Sequence, residues 1–348
     1  MPDDATFWPV IGVRQPEGPD NAYVKRNCDI LGRLGDVQPV PRARDLALLF
    51  LGRLITFQRL KIYDVMILNW AENVLTQRGG KLTHRGILEY RVFLWLCRRL
   101  SRKLVYVRHN ELPHGTTADD AEQVNAWVER GQQRANIVVA HSPVYAEAHG
   151  YAYVPHPLYN VAPSSASPCK EYVVFGRVEP YKNIDQLIEN WTVEATLVIV
   201  GPCSDPAYLD KLRALAKDKP VTFDIGFKEE QEIADRIAAS AGVLIANTPE
   251  SAIVSGTLFF ALSCGAPVFA LTTPFFEWLA TTSLGNSVFA FESVDALTDT
   301  IGNDDFKYRA SAAAIKAEAD ALFGDDHVLA AWQDVFGKLF GDTDEAAA

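Results

Sequence analysis

Two short stretches in the second half of the chain hold the residue types that a phosphate-bearing ligand needs. The first is Val173-Val174-Phe175-Gly176-Arg177-Val178-Glu179-Pro180-Tyr181-Lys182-Asn183. An apolar β-branched run, a glycine turn and a helix start follow one another here, with Asn183 as a candidate cap, and Arg177 and Lys182 fall on one loop. A diphosphate that departs from a reacting carbon gains negative charge, and fixed cations aimed at it lower the barrier. An ordinary strand-to-helix turn with two solvated charges would read the same way locally.

The second stretch runs from Ala246-Asn247-Thr248-Pro249-Glu250 through Ser255-Gly256-Thr257 into the apolar run Leu258-Phe259-Phe260-Ala261-Leu262, then Ser263-Cys264-Gly265-Ala266-Pro267-Val268. Ser255 suits an N-cap, Gly256 admits a ligand close to the backbone, and the amides at Ser255, Gly256 and Thr257 suit a phosphate. Glu250 has the chemistry to accept hydrogen bonds from ribose hydroxyls. The plain alternative is a capped core helix with a glutamate in the preceding loop.

The first half has different candidates. Its loops include Arg14-Gln15 to Asp20, Asn69-Trp70-Ala71-Glu72-Asn73 and Arg108-His109-Asn110-Glu111-Leu112-Pro113-His114. A transfer to a hydroxyl needs one general base beside it, a carboxylate or a histidine. Glu72, Glu111 and His109 lead by type, with His114 and Asp20 behind them, and the residues alone do not choose. His141 and His156 have no metal-ligand spacing with other histidines or with cysteines. Asp342 and Asp344 form an Asp-x-Asp in a polar tail and read as solvated charge, so no metal site is expected.

The elements that must position these loops are legible from periodicity. Short β-branched runs near Trp8–Val13, Val37–Val40, Val65–Leu68, Leu104–Val107 and Ile137–Ala140 alternate with stretches at helical spacing. A second series follows near Tyr172–Phe175, Leu197–Val200, Val221–Phe223, Val243–Ala246, Val268–Leu271 and Val288–Phe291. Alternation of this kind predicts parallel sheets covered by helices, and 348 residues exceed one ordinary core. The expected division is an α/β domain over 1–157, a Pro/Ser-rich linker over 158–169, a second α/β domain over 170–325, and a helix with a frayed tail over 326–348. Two doubly wound domains bind ligands at the carboxyl ends of their strands.

Composition narrows the classes. No run of apolar residues is long enough to span a bilayer, and no secretory segment is recognised at the start, so a cytoplasmic protein is expected. The five cysteines, Cys28, Cys97, Cys169, Cys203 and Cys264, include no C-x-x-C pair and read as reduced packing residues. The net charge of -11 conceals an asymmetry: residues 39–108 hold 14 Lys and Arg against 4 Asp and Glu. Apolar residues alternate with these cations, as at Leu46, Phe50 and Leu54 beside Arg42, Arg53 and Arg59, which suits an anionic membrane surface. Nucleic acid is disfavoured, because no base-stacking aromatic pattern accompanies the charge.

Taken together, the G-R-x-x-x-x-K-N loop, the Glu250-bearing loop, the helix start and the Cys-Gly-Ala-Pro-Val turn resemble the donor domain of glycosyltransferases built from two facing Rossmann-like doubly wound domains, the GT-B type. The resemblance implies that Arg177, Lys182, Glu250, Ser255, Gly256 and Thr257 bind a nucleotide-sugar donor. It also implies that Gly226-Phe227-Lys228 contacts its base, with Phe227 at the turn. Retaining members of one large family carry a second glutamate where this chain has Phe260, which favours inversion.

Over nearly its full length the chain further resembles the short transferases of bacterial exopolysaccharide assembly, and among them the β-1,4-glucuronosyltransferases of sphingan (gellan or welan type) synthesis. That resemblance implies UDP-glucuronate as donor, a polyprenyl-diphosphate-linked glucose as acceptor, peripheral attachment to the inner face of the cell membrane, and Arg14, Arg108 or Arg177 for the donor carboxylate. No cofactor and no metal are expected. A mannosyl- or glucosyltransferase of the same assembly class, a UDP-sugar 2-epimerase and a catalytically inactive binding subunit of a polysaccharide complex are the alternatives.

Overall fold

The computed structural model describes residues 8–14, 21–76, 80–113, 116–164, 166–247, 253–302 and 310–341. The chain divides into two compact units, one formed by 1–156 with 325–348 and the other by 157–324.

In the first unit the elements are, in order, β1 (Val10–Arg14), α1 (Ala22–Leu31), β2 (Asp36–Pro39), α2 (Ala43–Ile55), β3 (Tyr63–Asn69), α3 (His84–Leu100), β4 (Ser101–Arg108), α4 (Ala121–Gln132), β5 (Ile137–Ala140), α5 (Pro143–His149) and β6 (Ala152–Tyr153). They form a parallel six-stranded sheet in the order β2-β1-β3-β4-β5-β6. Strand alternation divides the side chains between two cores: in β4, Val105 and Val107 join one, Leu104 and Tyr106 the other. The two-residue β6 is too short to announce itself by periodicity.

The second unit continues with β7 (Glu171–Phe175), α6 (Ile184–Glu189), β8 (Thr196–Gly201), α7 (Pro206–Leu215), β9 (Val221–Ile225), α8 (Glu230–Ala239), β10 (Gly242–Ile245), α9 (Gly256–Cys264), β11 (Val268–Leu271), α10 (Pro274–Ala280), β12 (Val288–Phe291), α11 (Val294–Gly302) and α12 (Ala312–Phe323). Its sheet is also parallel, in the order β12-β11-β10-β7-β8-β9. Residues 158–169, read as a linker, lie within this unit: Leu158, Tyr159 and Val161 pack on its core, and the Tyr159 amide donates to Ser263 Oγ at 2.9 Å. Three apolar side chains in that stretch gain more by burial than by spanning solvent.

The last helix, α13 (Asp325–Phe340), belongs to the first unit. Val328, Trp332, Val335 and Leu339 are buried in its core, and Trp332 Nε1 donates to Asn27 Oδ1 at 2.9 Å. Arg26 pairs with Asp325 at the start of the helix. All five cysteines are free.

Candidate active-site edges of the two sheets

Strand order locates the ligand edge of each unit. In the second sheet the connections reverse direction between β7 and β10, so the loops that leave these neighbours diverge and open a crevice at their carboxyl ends. The loop after β7 carries Gly176, Arg177 and Lys182, and the loop after β10 leads to α9. Asn183 joins them: its Nδ2 donates to the Ala246 carbonyl at 2.8 Å. Asn183 does occupy the N-cap position of α6, but its side chain makes no capping bond, because it is used across the crevice.

Lys182 is the group at this edge whose environment departs most from the ordinary. It is buried, and its Nζ donates to the Phe175 carbonyl at 2.9 Å. No carboxylate lies within ion-pair distance of it among the described residues. Burial, with Arg177 nearby, pushes its pKa down to about 8. Gly176 makes room for the ammonium: its φ is +96°, and a Cβ there would stand 2.9 Å from Nζ. Arg177 is half in solvent and pairs with Glu179 at 3.4 Å.

Across the crevice, α9 starts at Gly256 with Ser255 at the cap position and without a side-chain capping bond. The first amides of a helix have no intrahelical partner, which leaves those at Gly256 and Thr257 for a ligand. Among the described residues a Cβ on Gly256 would meet only the Tyr159 hydroxyl, at 3.3 Å. Phe260 is buried with its ring 5.4 Å from those of Tyr159 and Phe175. Phe227 is exposed after β9, and the Gly226 amide donates to the Gly201 carbonyl at 3.2 Å. Glu250, Asp20 and His114 lie outside the described residues, as do Asp342 and Asp344.

In the first sheet the reversal falls between β1 and β3. Arg14 and Asn69, at the ends of these strands, hold each other: Arg14 Nη1 donates to the Asn69 and Trp70 carbonyls at 2.6 and 3.0 Å, and Asn69 Nδ2 donates to the Arg14 carbonyl at 3.1 Å. That bond fixes Asn69 Oδ1 as an acceptor, so His109 Nε2, 3.0 Å away, donates to it and Nδ1 keeps the lone pair. Trp70 has a left-handed backbone at φ +48°, strained for a bulky residue, and its ring stacks on His109 at 3.8 Å.

Sequence reasoning missed the company His109 keeps. Tyr23 of α1 lies 5.0, 5.2 and 4.8 Å, ring to ring, from His109, His141 and His156, all four buried. His141 Nδ1 donates to the Val154 carbonyl at 2.8 Å, so its Nε2 accepts from the Tyr23 hydroxyl at 2.9 Å. Asn27 Nδ2 donates to the same hydroxyl oxygen at 3.3 Å and completes a chain to Trp332. Burial pushes His141 down to about 4 and His109 well below the usual histidine range, so both stay neutral. The only signal for this cluster in the sequence is a histidine at or just beyond the ends of successive strands. Among the described residues no group of histidine, cysteine and carboxylate side chains is placed to hold a metal.

The other candidate bases differ in access. Glu72 is fully buried; its Oε2 accepts from the Tyr106 hydroxyl at 2.8 Å, its Oε1 has no partner among the described residues, and burial pushes its carboxyl up. Glu111 is exposed, and its carbonyl accepts from Arg108 Nη2, which also reaches Asn125 Oδ1 at 3.2 Å. Arg108 is itself buried and, with Glu111, Asn125 and Tyr145, lines a cavity of about 260 Å³.

At the level of sequence, no protein-family model and no curated protein matches the chain. Solved structures do match over nearly the whole length. HepE of Anabaena in complex with UDP aligns with a TM-score of 0.63 and 16% identity, over 94% of this chain and 99% of that one. HepE in complex with UDP-glucose aligns with a TM-score of 0.64, at the same identity and coverage. Sucrose-phosphate synthase of Thermosynechococcus elongatus aligns with a TM-score of 0.70 and 15% identity, over 97% of this chain and 100% of that one. The fold is that of the GT-B glycosyltransferases, with two Rossmann-like domains.

Proposed function

We propose that the chain is an inverting, metal-independent glycosyltransferase that takes a sugar from a UDP donor at the edge of its second sheet. The observation that carries this reading is Lys182, a buried ammonium without a carboxylate partner among the described residues, at the reversal point of a doubly wound sheet. Taking such a charge out of water costs stability, and an anionic ligand offsets that cost. The departing diphosphate would lie on Lys182 and the amides of Gly256 and Thr257, with Arg177 at its solvent side, Phe227 near the base and Glu250 near the ribose. UDP and UDP-glucose are bound by HepE, which shares the fold. Phe260 supports inversion, since no carboxylate stands at that position.

For the acceptor, His109 is the base we favour over Glu72 and Glu111. It is neutral, its Nε2 proton is committed to Asn69, and Nδ1 is left to take a proton. Glu72 is enclosed. The donor sugar we propose is glucuronate, and the acceptor a polyprenyl-diphosphate-linked glucose in exopolysaccharide repeat-unit assembly; the sequence resemblance supports both. Arg177, on the second-sheet loop and more than half exposed, then meets the donor carboxylate, whereas Arg14 and Arg108 belong to the first unit. A lipid-linked acceptor implies peripheral attachment at the cytoplasmic face of the membrane.

The test is incubation with a panel of nucleotide sugars and a short-chain glucosyl-diphospholipid, read by mass spectrometry. A glucuronosyl product supports the full reading, a mannosyl or glucosyl product replaces the donor, and conversion of a free UDP-sugar without lipid establishes an epimerase. No change in any substrate ends the proposal.

A further inference from the structure

The first unit has a second surface that the proposed chemistry does not use. On α2 and the turn after it, Leu48, Leu51, Leu54, Ile55 and Phe57 are exposed, and on α3 so are Leu88, Val92 and Trp95. Phe57 is 97% exposed and holds a left-handed backbone at φ +54°, so a large apolar ring stands in solvent on a strained turn. Outside this face, Trp8 and Phe227 are the only large hydrophobic side chains so exposed among the described residues. The two helices pack on each other, the Phe50 ring 5.0 Å from that of Trp95, and apolar surface gathered in this way marks an interaction site.

Trp95 joins this face to a trough of positive charge. It lines a cavity of about 530 Å³ with Lys61, Arg98, Arg99 and Arg134. An adjoining cavity of about 540 Å³ shares Arg134 and adds Arg91 and Arg130, whose guanidinium groups lie 6.0 and 4.7 Å from the Trp127 ring centroid. Among the described residues no Asp or Glu lines either cavity, and none of these six cations has a carboxylate within ion-pair distance. Lys61 is pushed down by burial and by Arg98 and Arg99, as expected of cations crowded without a counter-ion.

We infer that this face is a docking site for an anionic phospholipid bilayer, with the apolar residues of α2 and α3 entering the acyl boundary and the trough receiving the lipid phosphates. The neighbours decide the occupant. A second copy would bring the same cations against these, a nucleic acid would leave Ile55 and Phe57 without use, and a lipid surface matches apolar plateau and cationic trough together. The inference deepens the proposed peripheral attachment by assigning its residues, and rests on that reading for its purpose.

The experiment is flotation of the full chain with vesicles of phosphatidylcholine, alone or mixed with phosphatidylglycerol, at low and high salt. Binding should require the anionic lipid and weaken with salt. Arg91→Gln with Arg99→Gln and Arg130→Gln, which removes no described hydrogen bond, should lower partition onto the mixed vesicles about a hundredfold. Ile55→Ser with Phe57→Ser should lower it at least tenfold at either salt. Equal binding to both vesicles, or an undiminished triple variant, overturns the inference. So does displacement of the protein by glycerol 3-phosphate at matched ionic strength, which would make a soluble phosphate the ligand. UDP binding by calorimetry is measured on the same samples: its loss would count against the donor site, and a vesicle result with UDP binding intact would bear on the docking face alone.

Discussion

The carboxyl edges of the two sheets are built from the same scaffold and opposite chemistry. Each is a parallel six-stranded sheet with one reversal of strand order. At the second, the reversal holds cations, a helix start and glycines that bring the backbone close. At the first, it holds neutral imidazoles, an indole and a tyrosine in close ring contact. All seven histidines of the chain fall in the first unit and none in the second. An edge that meets a departing anion needs permanent charge, whereas an edge that takes a proton from a hydroxyl needs a base that is uncharged before the reaction. Local burial tunes both, by withholding a counter-ion from Lys182 and by keeping His109 neutral.

The largest effect should come from breaking the charged edge. Lys182→Met should reduce turnover by roughly 10² or more. It should also raise stability by roughly 2 kcal/mol, since it removes an ammonium held at about 8, against an ordinary 10.5, at the loss of one hydrogen bond. Steady-state rates and urea midpoints on one preparation test both. A variant that lost stability with unchanged turnover would make Lys182 structural.

His109→Gln keeps a donor for Asn69 Oδ1 but removes the basic nitrogen. Turnover should fall by about 10² with UDP binding unchanged; unchanged turnover would return the role to Glu111. Sharpening the comparison needs pH. The unfolded-state histidine titrates near 6.5, whereas His141 in the fold titrates at about 4, so between these values the unfolded chain binds the extra proton and stability falls as pH falls. By pH 5 the loss should reach on the order of 2 kcal/mol for His141 alone, and His109 shifts the same way. Urea midpoints from pH 7 to 5, followed by tryptophan probes in each unit, should show the histidine-linked slope in the first unit only. The smallest effect expected is none at all: turnover should persist in EDTA, and full loss restored by magnesium or manganese would end the metal-independent reading.

Much of this contrast was legible in the residues. Every strand of both sheets except the two-residue β6 stood out as a β-branched run, and the Gly176 to Asn183 loop announced its position by a glycine between a strand and a helix. What escaped was whatever depends on residues far apart in sequence. Tyr23, His109, His141 and His156 each sit in an unremarkable loop or helix start, and only parallel pairing brings them to one edge. The basic helices were visible too, but periodicity reveals an apolar stripe without saying whether a neighbour covers it; Leu46 is buried while Leu48 and Leu51 are exposed. The local position of Asn183 suggests a cap, and the residue that claims its side chain, Ala246, lies sixty-three positions away.

The return of α13 to the first unit means that, along the chain, the second unit is an insertion within the first. During synthesis, residues 157–324 leave the ribosome as a complete unit, while the first still lacks Trp332 and the face of α13 that closes one of its cores. The Asn27 to Trp332 bond spans 305 positions, so its loop closes last. The second unit should therefore reach its native form on the nascent chain before the first, and a polypeptide stopped before Trp332 would carry one finished core and another still open to water.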